Sequence, residues 1–216
     1  MPRITLIHAT ALAIDPIREA FARLWPAART TNLLEDSLSE DLAASGRLDA
    51  AMLHRFETLA GYAQASGADA ILFTCSAFGE AIEAAAKTIR IPVLKPNEAM
   101  LEEALSAGTR IGIVATFQPT IPSMVEELKA LAAARNQSIE ILPRHVAGAM
   151  DALAACKGED HDRMIAASLS DFADFDAVLL AQFSMARAAK RARTTLDRPV
   201  LTSPDSAVNK LRKLLG

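Results

Sequence analysis

Two stretches of this chain match each other at one fixed distance, and that constrains the fold more than any other feature. Arg3-Ile4 recurs as Arg110-Ile111, a shift of 107 residues. The same shift carries Asp69-Ala70-Ile71-Leu72 onto Asp176-Ala177-Val178-Leu179, and Pro92-Val93-Leu94 onto Pro199-Val200-Leu201. It also pairs Ile14 with Ile121, Glu19 with Glu126, His54 with His161 and Thr88 with Thr195. A constant shift predicts a duplicated α/β unit with no insertion in either copy. One matched pair differs in chemistry: the only cysteine of the first copy, Cys75, falls on Gln182.

Each copy reads as strand and helix in alternation, four times over. Short apolar, β-branched runs predict strands over residues 4–9, 31–34, 70–74 and 92–94, then 111–115, 138–142, 177–181 and 200–202. Helices are expected over 15–24, with Asp15 as N-cap and Pro16 at the first helical position, and over 48–65 and 78–88. Asn97 is expected to cap a helix that ends before Gly108. In the second copy helices are expected over 122–135, 160–172, 184–192 and 205–215. Strands alternating with helices imply parallel sheets with right-handed crossovers. The fold class is therefore α/β, with two pseudo-symmetric lobes, each a four-stranded parallel sheet flanked by helices, and an active site between them. The expected lobes are residues 1–96, with the helix over 203–216 packing back on them, and residues 97–202.

Bulk properties exclude several function classes. A formal charge of −3 gives no field that would gather nucleic acid. The basic cluster Arg187, Lys190, Arg191 and Arg193 has helical spacing and reads as a solvated helix face. No apolar run is long enough to cross a bilayer, and the N-terminus reads as an immediate strand rather than a leader. Two cysteines in 216 residues form no disulfide framework, which points to a reducing, cytoplasmic compartment. No Gly-rich nucleotide signature and no metal-ligand spacing occur, so no cofactor and no metal are expected. A homo-oligomer is compatible with this composition.

Ligands of open parallel sheets bind beyond the carboxyl ends of the strands. Those ends are rich here in small polar groups: His8 and Thr10, Thr74-Cys75-Ser76, Thr116 and Thr120, and Gln182 with Ser184. Cys75 precedes an expected helix, whose dipole and unpaired amides favour a thiolate. The bland alternative is a buried cysteine acting as a small hydrophobe. His8 is a candidate base or carboxylate ligand, with packing or capping as the alternative. His145 follows the second strand of the second copy and is a weaker candidate of the same kind. His54 and His161 lie on helices, where solvent-facing or interface roles are expected. Asp36-Ser37 reads as a cap or turn that supports the site, and Cys156, beside Lys157-Gly158, as incidental.

The duplicated lobes, the segment Asp69–Ser76 and Ala115-Thr116 resemble the aspartate/glutamate/hydantoin racemase superfamily over nearly the full length. In that superfamily one cysteine from each lobe flanks the α-carbon of a small carboxylate, and the pair moves protons on opposite faces without a cofactor. The resemblance implies an isomerase in which Cys75 is catalytic and Gln182 stands in the second cysteine's place. The polar residues at the strand ends, His8, Thr10, Thr74, Ser76, Thr116, Thr120 and Ser184, are then the candidates to bind an amino acid or related compound. Glutamine exchanges no proton near neutral pH, but it donates and accepts hydrogen bonds. Three readings of the same resemblance stay open. These are a single-cysteine decarboxylase, a cis-trans isomerase with Cys75 as nucleophile, and another group such as His8 or His145 replacing the missing thiol. A non-catalytic protein that binds a small carboxylate is the alternative outside enzymes.

Overall fold

The apolar runs do become strands, and their pairing is parallel throughout. The computed structural model describes all 216 residues. In the first half, β1 (Arg3–His8), β2 (Arg29–Leu34), β3 (Ala70–Phe73) and β4 (Val93–Leu94) form one sheet in the order β2-β1-β3-β4. In the second, β5 (Arg110–Ala115), β6 (Glu140–His145), β7 (Ala177–Leu180) and β8 (Val200–Thr202) form another in the order β6-β5-β7-β8. The chain divides into two units, Met1–Ala99 with Ala207–Gly216, and Met100–Ser206. Each is an α/β unit built on one sheet.

The same device fixes the first residue of the central strand in both units. The Asp69 carboxylate accepts the Arg3 N–H at 2.7 Å, and the Asp69 N–H donates to the Arg3 carbonyl at 2.8 Å. In the second unit the Asp176 carboxylate accepts from the Arg110 N–H at 2.8 Å and the Thr109 N–H at 2.7 Å. The Asp176 N–H returns to the Arg110 carbonyl at 2.8 Å. The amides of Arg110 and Thr109 hold the Asp176 carboxyl below its ordinary range. A carboxylate clamp at this position sets the register in which β1 meets β3 and β5 meets β7.

That register also corrects the expectation of a repeat free of insertions. Arg29 lies opposite Arg3, whereas Glu140 lies opposite Arg110, so β2 and β6 are related by a shift of 111. Ile4 opposite Ala70 and Ile111 opposite Ala177 restore the shift of 107. The second copy therefore gains four residues before β6 and loses four before β7. The gain matches a longer helix: α1 (Ile14–Leu24) has 11 residues, and α6 (Thr120–Ala134) has 15. For this reason the expected strand over 138–142 lies two residues early. Pro143 is tolerated inside β6 because this is an edge strand.

The remaining helices are α2 (Ser37–Ser45), α3 (Ala50–Ala65), α4 (Gly79–Thr88), α5 (Glu98–Ala107), α7 (Ala149–Ala154), α8 (Gly158–Ala167), α9 (Ala189–Thr195) and α10 (Ser203–Leu215). Asp15 is not the N-cap of α1. Thr10 caps a preceding 3-10 turn, Ala11–Ala13, by accepting from the Leu12 N–H at 3.4 Å, and Asp15 instead pairs with Arg18 at 2.8 Å. Pro16 sits in the first turn, where its missing N–H costs nothing. Asp49 caps α3 through the Met52 N–H at 2.9 Å, so that helix starts two residues after the expected Leu48. Two short helices were not expected. In α2 only Leu38 is fully buried, and α7 has six residues, too few for a period to show. The expected helices over 160–172 and 184–192 turn partly into 3-10 segments, Ser168–Phe172 and Phe183–Ala188, and a further 3-10 turn, Ser76–Phe78, leads into the helix expected over 78–88. No helix is long and apolar enough to cross a membrane.

Both sheets carry apolar side chains on both faces. In the second unit Val178 and Leu180 join a cluster with Phe172 and Met185, while Ala177 and Leu179 join another with Met124 and Leu128. Alternation along one strand divides these clusters between the two faces. Gly112, on the middle strand of that sheet, leaves room for the Phe172 ring. A Cβ there would lie 2.4 Å from a ring carbon. Gly112→Ala should therefore destabilise the protein by about 1–3 kcal/mol through overpacking. Urea unfolding should show a lower midpoint at unchanged slope, and an unshifted midpoint would refute this packing account.

Candidate active site

Cys75 and Gln182 occupy the same place in the two units. Each lies two residues beyond its strand, after β3 and β7 respectively. Cys75 has φ −125° and ψ 120°, and Gln182 has φ −119° and ψ 148°, and each leads into a 3-10 turn. Just ahead of them, the Thr74 N–H donates to the Ile7 carbonyl at 3.1 Å and the Ala181 N–H to the Val114 carbonyl at 2.9 Å. The backbone is duplicated, and only the side-chain chemistry differs.

In the first unit the thiol is half-buried at the edge of an aromatic core. Cys75 borders a crevice with Ile7, His8, Ala9, Leu38, Phe56, Phe73 and Phe78 that is too tight to admit a water molecule. Phe56 packs on Phe73 at 5.3 Å and on Phe78 at 4.9 Å between ring centroids. Burial here pushes the Cys75 thiol up, and the Ala77 N–H directed at its sulfur opposes this without overcoming it. The expectation of a readily formed thiolate is thereby corrected. The turn after Cys75 is a 3-10 segment with one amide at the sulfur, and desolvation outweighs it.

His8 is fully buried and both of its ring nitrogens are engaged. Nδ1 lies 2.8 Å from the Thr74 hydroxyl and Nε2 lies 3.0 Å from the Asn32 side-chain oxygen. Burial lowers its pKa, against a smaller opposing effect of the Asn32 hydrogen bond. A neutral ring fits both contacts when Nε2–H donates to Asn32 and the Thr74 O–H donates to Nδ1, an assignment made from the network. His8 thus orients Thr74, the neighbour of the thiol. Asn32 went unnoticed in the sequence because a polar residue in an edge strand ordinarily faces water.

Around the end of β2, Arg55 binds Glu35, Asp41 at 2.5 Å and the Ser37 hydroxyl at 2.7 Å. Burial would raise the Glu35 pKa, but hydrogen bonds from Ser37 and Arg55 outweigh it and hold the carboxyl low. Asp36 stands at the N-terminus of α2 without a side-chain capping bond, so Ser37 and Arg55 carry the support that Asp36-Ser37 was expected to give.

In the second unit Gln182 is tied to Thr116. Its side-chain oxygen accepts from the Thr116 N–H at 3.0 Å and from the Thr116 hydroxyl at 3.3 Å. Its side-chain nitrogen is shielded from solvent and has no hydrogen-bond partner. Leaving such a donor unsatisfied costs about 1–3 kcal/mol.

The other expected residues are placed less centrally. Thr10 is half-buried and used as a cap. Ser76 is exposed at the first position of its turn, next to the thiol. Thr120 opens α6, and Ser184 lies half-buried in the turn after Gln182. His145 ends β6 opposite Ala115, adjacent to Thr116 in the chain. His54 is exposed, but His161 is fully buried, which corrects its expected surface role. Its Nδ1 meets Asp162 at 2.8 Å, and Asp162 holds Arg187 at 3.0 Å. Lys95, beyond β4, pairs with Glu83 at 2.6 Å. Cys156 is exposed in a turn at φ 59°. No group of three His, Cys, Asp or Glu side chains converges to hold a metal.

Residues 7–211 match the model of the Asp/Glu/Hydantoin racemase family. The chain belongs to that family. No curated protein matches it in sequence. Allantoin racemase from Klebsiella pneumoniae shares the fold of this racemase-family chain with a TM-score of 0.71 and 19% identity, covering 100% of this chain and 88% of that one. Picrophilus torridus aspartate racemase does so at 0.70 and 13%, covering 99% and 94%. A glycine-to-cysteine mutant of arylmalonate decarboxylase, in a sulfate-associated form, gives 0.67 and 19%, covering 98% and 92%.

Two measurements check these electrostatics. In a Cys156→Ser background, alkylation of Cys75 by iodoacetamide should be slower near neutral pH than that of a free thiol. It should still be rising with pH through about 8.5, the ordinary cysteine value. A plateau below that pH would contradict the burial argument. For His8, the folded pKa lies below the unfolded one, so the unfolded state binds more protons in that window. The corresponding stability is present above about pH 6.5 and is lost as pH falls through the folded value. Acidification from about pH 7 to about pH 5 should cost wild type more than a His8→Gln variant, read as unfolding free energy. Equal losses would disprove it.

Proposed function

We propose that this protein is a cofactor-independent enzyme that transfers a proton at the α-carbon of a small carboxylate. Cys75 is the acid/base, and Gln182 binds substrate where the second thiol of the family would stand. The observation that carries this reading is the equivalence of Cys75 and Gln182: the same position beyond equivalent strands, nearly the same backbone angles, one thiol and one amide. Membership of a racemase family and a fold shared with allantoin and aspartate racemases support the reaction class. Ser76, exposed beside the thiol, supplies a hydroxyl donor for the substrate carboxylate, while the Thr74 hydroxyl is spent on His8.

A single thiol suits chemistry on a single face. The Cys75 S–H gives its proton to the α-carbon of an enediolate, and the thiolate left behind recovers a proton from water. Run in reverse, the thiolate takes the α-proton while the electron pair moves onto the carboxylate. Inversion needs a second acid on the other face, and an amide has no proton to exchange near neutral pH. Proton exchange with retention of configuration is the reaction this pair of groups favours.

A second reading has its own support. Burial keeps the thiol protonated, which fits a donor better than a base. Decarboxylation of an acid with two carboxylates on its α-carbon needs only a donor: the bond from Cα to one carboxylate breaks, carbon dioxide leaves, and the electron pair moves onto the remaining carboxylate as an enediolate that Cys75 protonates at carbon. The fold shared with arylmalonate decarboxylase is consistent with it.

Incubating 2-substituted carboxylic acids in deuterated water, and following the α-proton by NMR and evolved carbon dioxide, tests both readings. Cys75→Ala should lower the rate about 10²- to 10⁴-fold, the usual contribution of a positioned acid/base. Gln182→Cys should add inversion, seen as decay of optical rotation alongside exchange. If no compound exchanges or decarboxylates, yet ligand affinity survives Cys75→Ala, the protein binds small carboxylates without transforming them.

A further inference from the structure

The hydrogen bonds at Gln182 fix more than its position. A free glutamine amide presents one acceptor and two donors, and it can rotate to offer either. Here the choice has been removed. The Thr116 main-chain N–H can only donate, so the atom facing it at 3.0 Å must be the side-chain oxygen. The Thr116 hydroxyl adds a second donor to the same oxygen at 3.3 Å. Thr116 is itself buried, 4% exposed, one residue beyond β5, so this lock sits against the end of the sheet. What remains is the nitrogen, screened from solvent and without a partner in the protein. Towards a ligand Gln182 is therefore a donor and nothing else.

We infer that Gln182 is a specificity-determining residue that selects substrates whose α-carbon carries, besides the common carboxylate, a second hydrogen-bond acceptor such as a carboxylate or carbonyl oxygen, and disfavours acids with an α-ammonium group in that place. Thr116 is the positioning residue that makes it so. This rests on the reading that Gln182 faces substrate. An ammonium group brings three donors and no acceptor, and opposite the locked amide it meets N–H with N–H. A carboxylate or carbonyl in the same place satisfies a nitrogen that the protein leaves unpaired. Loss of the second thiol is then coupled to a change in which acids the site accepts.

Methylmalonate and alanine test this directly. Both have an α-carbon bearing a methyl group, a hydrogen and one carboxylate, and they differ in whether the fourth substituent accepts or donates. Titration calorimetry on the full chain should show methylmalonate preferred over alanine about 10- to 100-fold, the range of one hydrogen bond to a charged group. Gln182→Met, which removes the donor without adding charge, should abolish the preference. Gln182→Glu, which keeps an oxygen for Thr116 and presents another to the ligand, should reverse it. Thr116→Val should shrink the preference while leaving some affinity for both compounds, and this variant answers the question if Gln182→Glu does not fold. Equal binding of the two acids by wild type, an unchanged preference in Gln182→Met, or no saturable binding of either probe would overturn the inference. The outcomes separate it from the proton-transfer reading. Cys75-dependent exchange without the preference sinks only the selectivity, and the preference without any exchange sinks only the chemistry.

Discussion

Everything at the candidate site depends on the register between the middle strands of each sheet. The carboxylates of Asp69 and Asp176 grip the amides of Arg3 and Arg110, and from that point the ladder advances one residue at a time. Ile4 meets Ala70 and Ile111 meets Ala177, so each middle strand ends at the same height relative to its neighbour. A slip of one residue would move every side chain of β3 and β7 to the opposite face of its sheet and into the wrong core cluster. It would also withdraw residues 75 and 182 from the carboxyl end of the sheet. The candidate positions are thus held by a polar contact at the far end of the strand, well away from residues 75 and 182 themselves.

The thiol shows two effects in competition. An amide N–H at the sulfur stabilises charge, while the wall of Phe56, Phe73 and Phe78 withholds the water that a thiolate would need. Desolvation prevails because one hydrogen bond replaces only part of a lost hydration shell. His8 adds no positive charge to the balance. Its own burial keeps the imidazole neutral, and both nitrogens are spent on Thr74 and Asn32. A sulfur that burial holds protonated, beside a hydroxyl oriented by His8, favours a donor over a base in the proposed function.

Much of this was legible in the sequence, and the failures have physical causes. Long apolar runs such as Ala70–Phe73 and Ala177–Leu180 were readable because burial on both faces demands them. The fixed shift exposed the duplication and put Cys75 opposite Gln182. It hid the compensating four-residue gain and loss around β6, since matching ends conceal whatever changes between them. The short helices α2 and α7 bury too little to leave a period. Within the site, the residue types were readable and their partners were not. Nothing local in the sequence tells that Asn32 reaches His8, or that Arg55 reaches back to Glu35 and Ser37, because those contacts join residues distant along the chain.

Replacing a thiol by an amide at one of two equivalent strand ends leaves more than a gap. A cysteine side chain needs no second bond to hold it, whereas a glutamine has two more rotatable torsions and would wander unless anchored. Thr116 provides the anchor with two donors aimed at one oxygen, and it does so from the end of the neighbouring strand, where the backbone N–H is no longer needed by the ladder. The corresponding residue in the first unit, Ala9, has no hydroxyl to offer, and Cys75 needs none. Thr116 and Gln182 therefore form one unit: where the first copy carries a thiol that needs no anchor, the second carries an amide whose oxygen is fixed and whose nitrogen keeps one orientation.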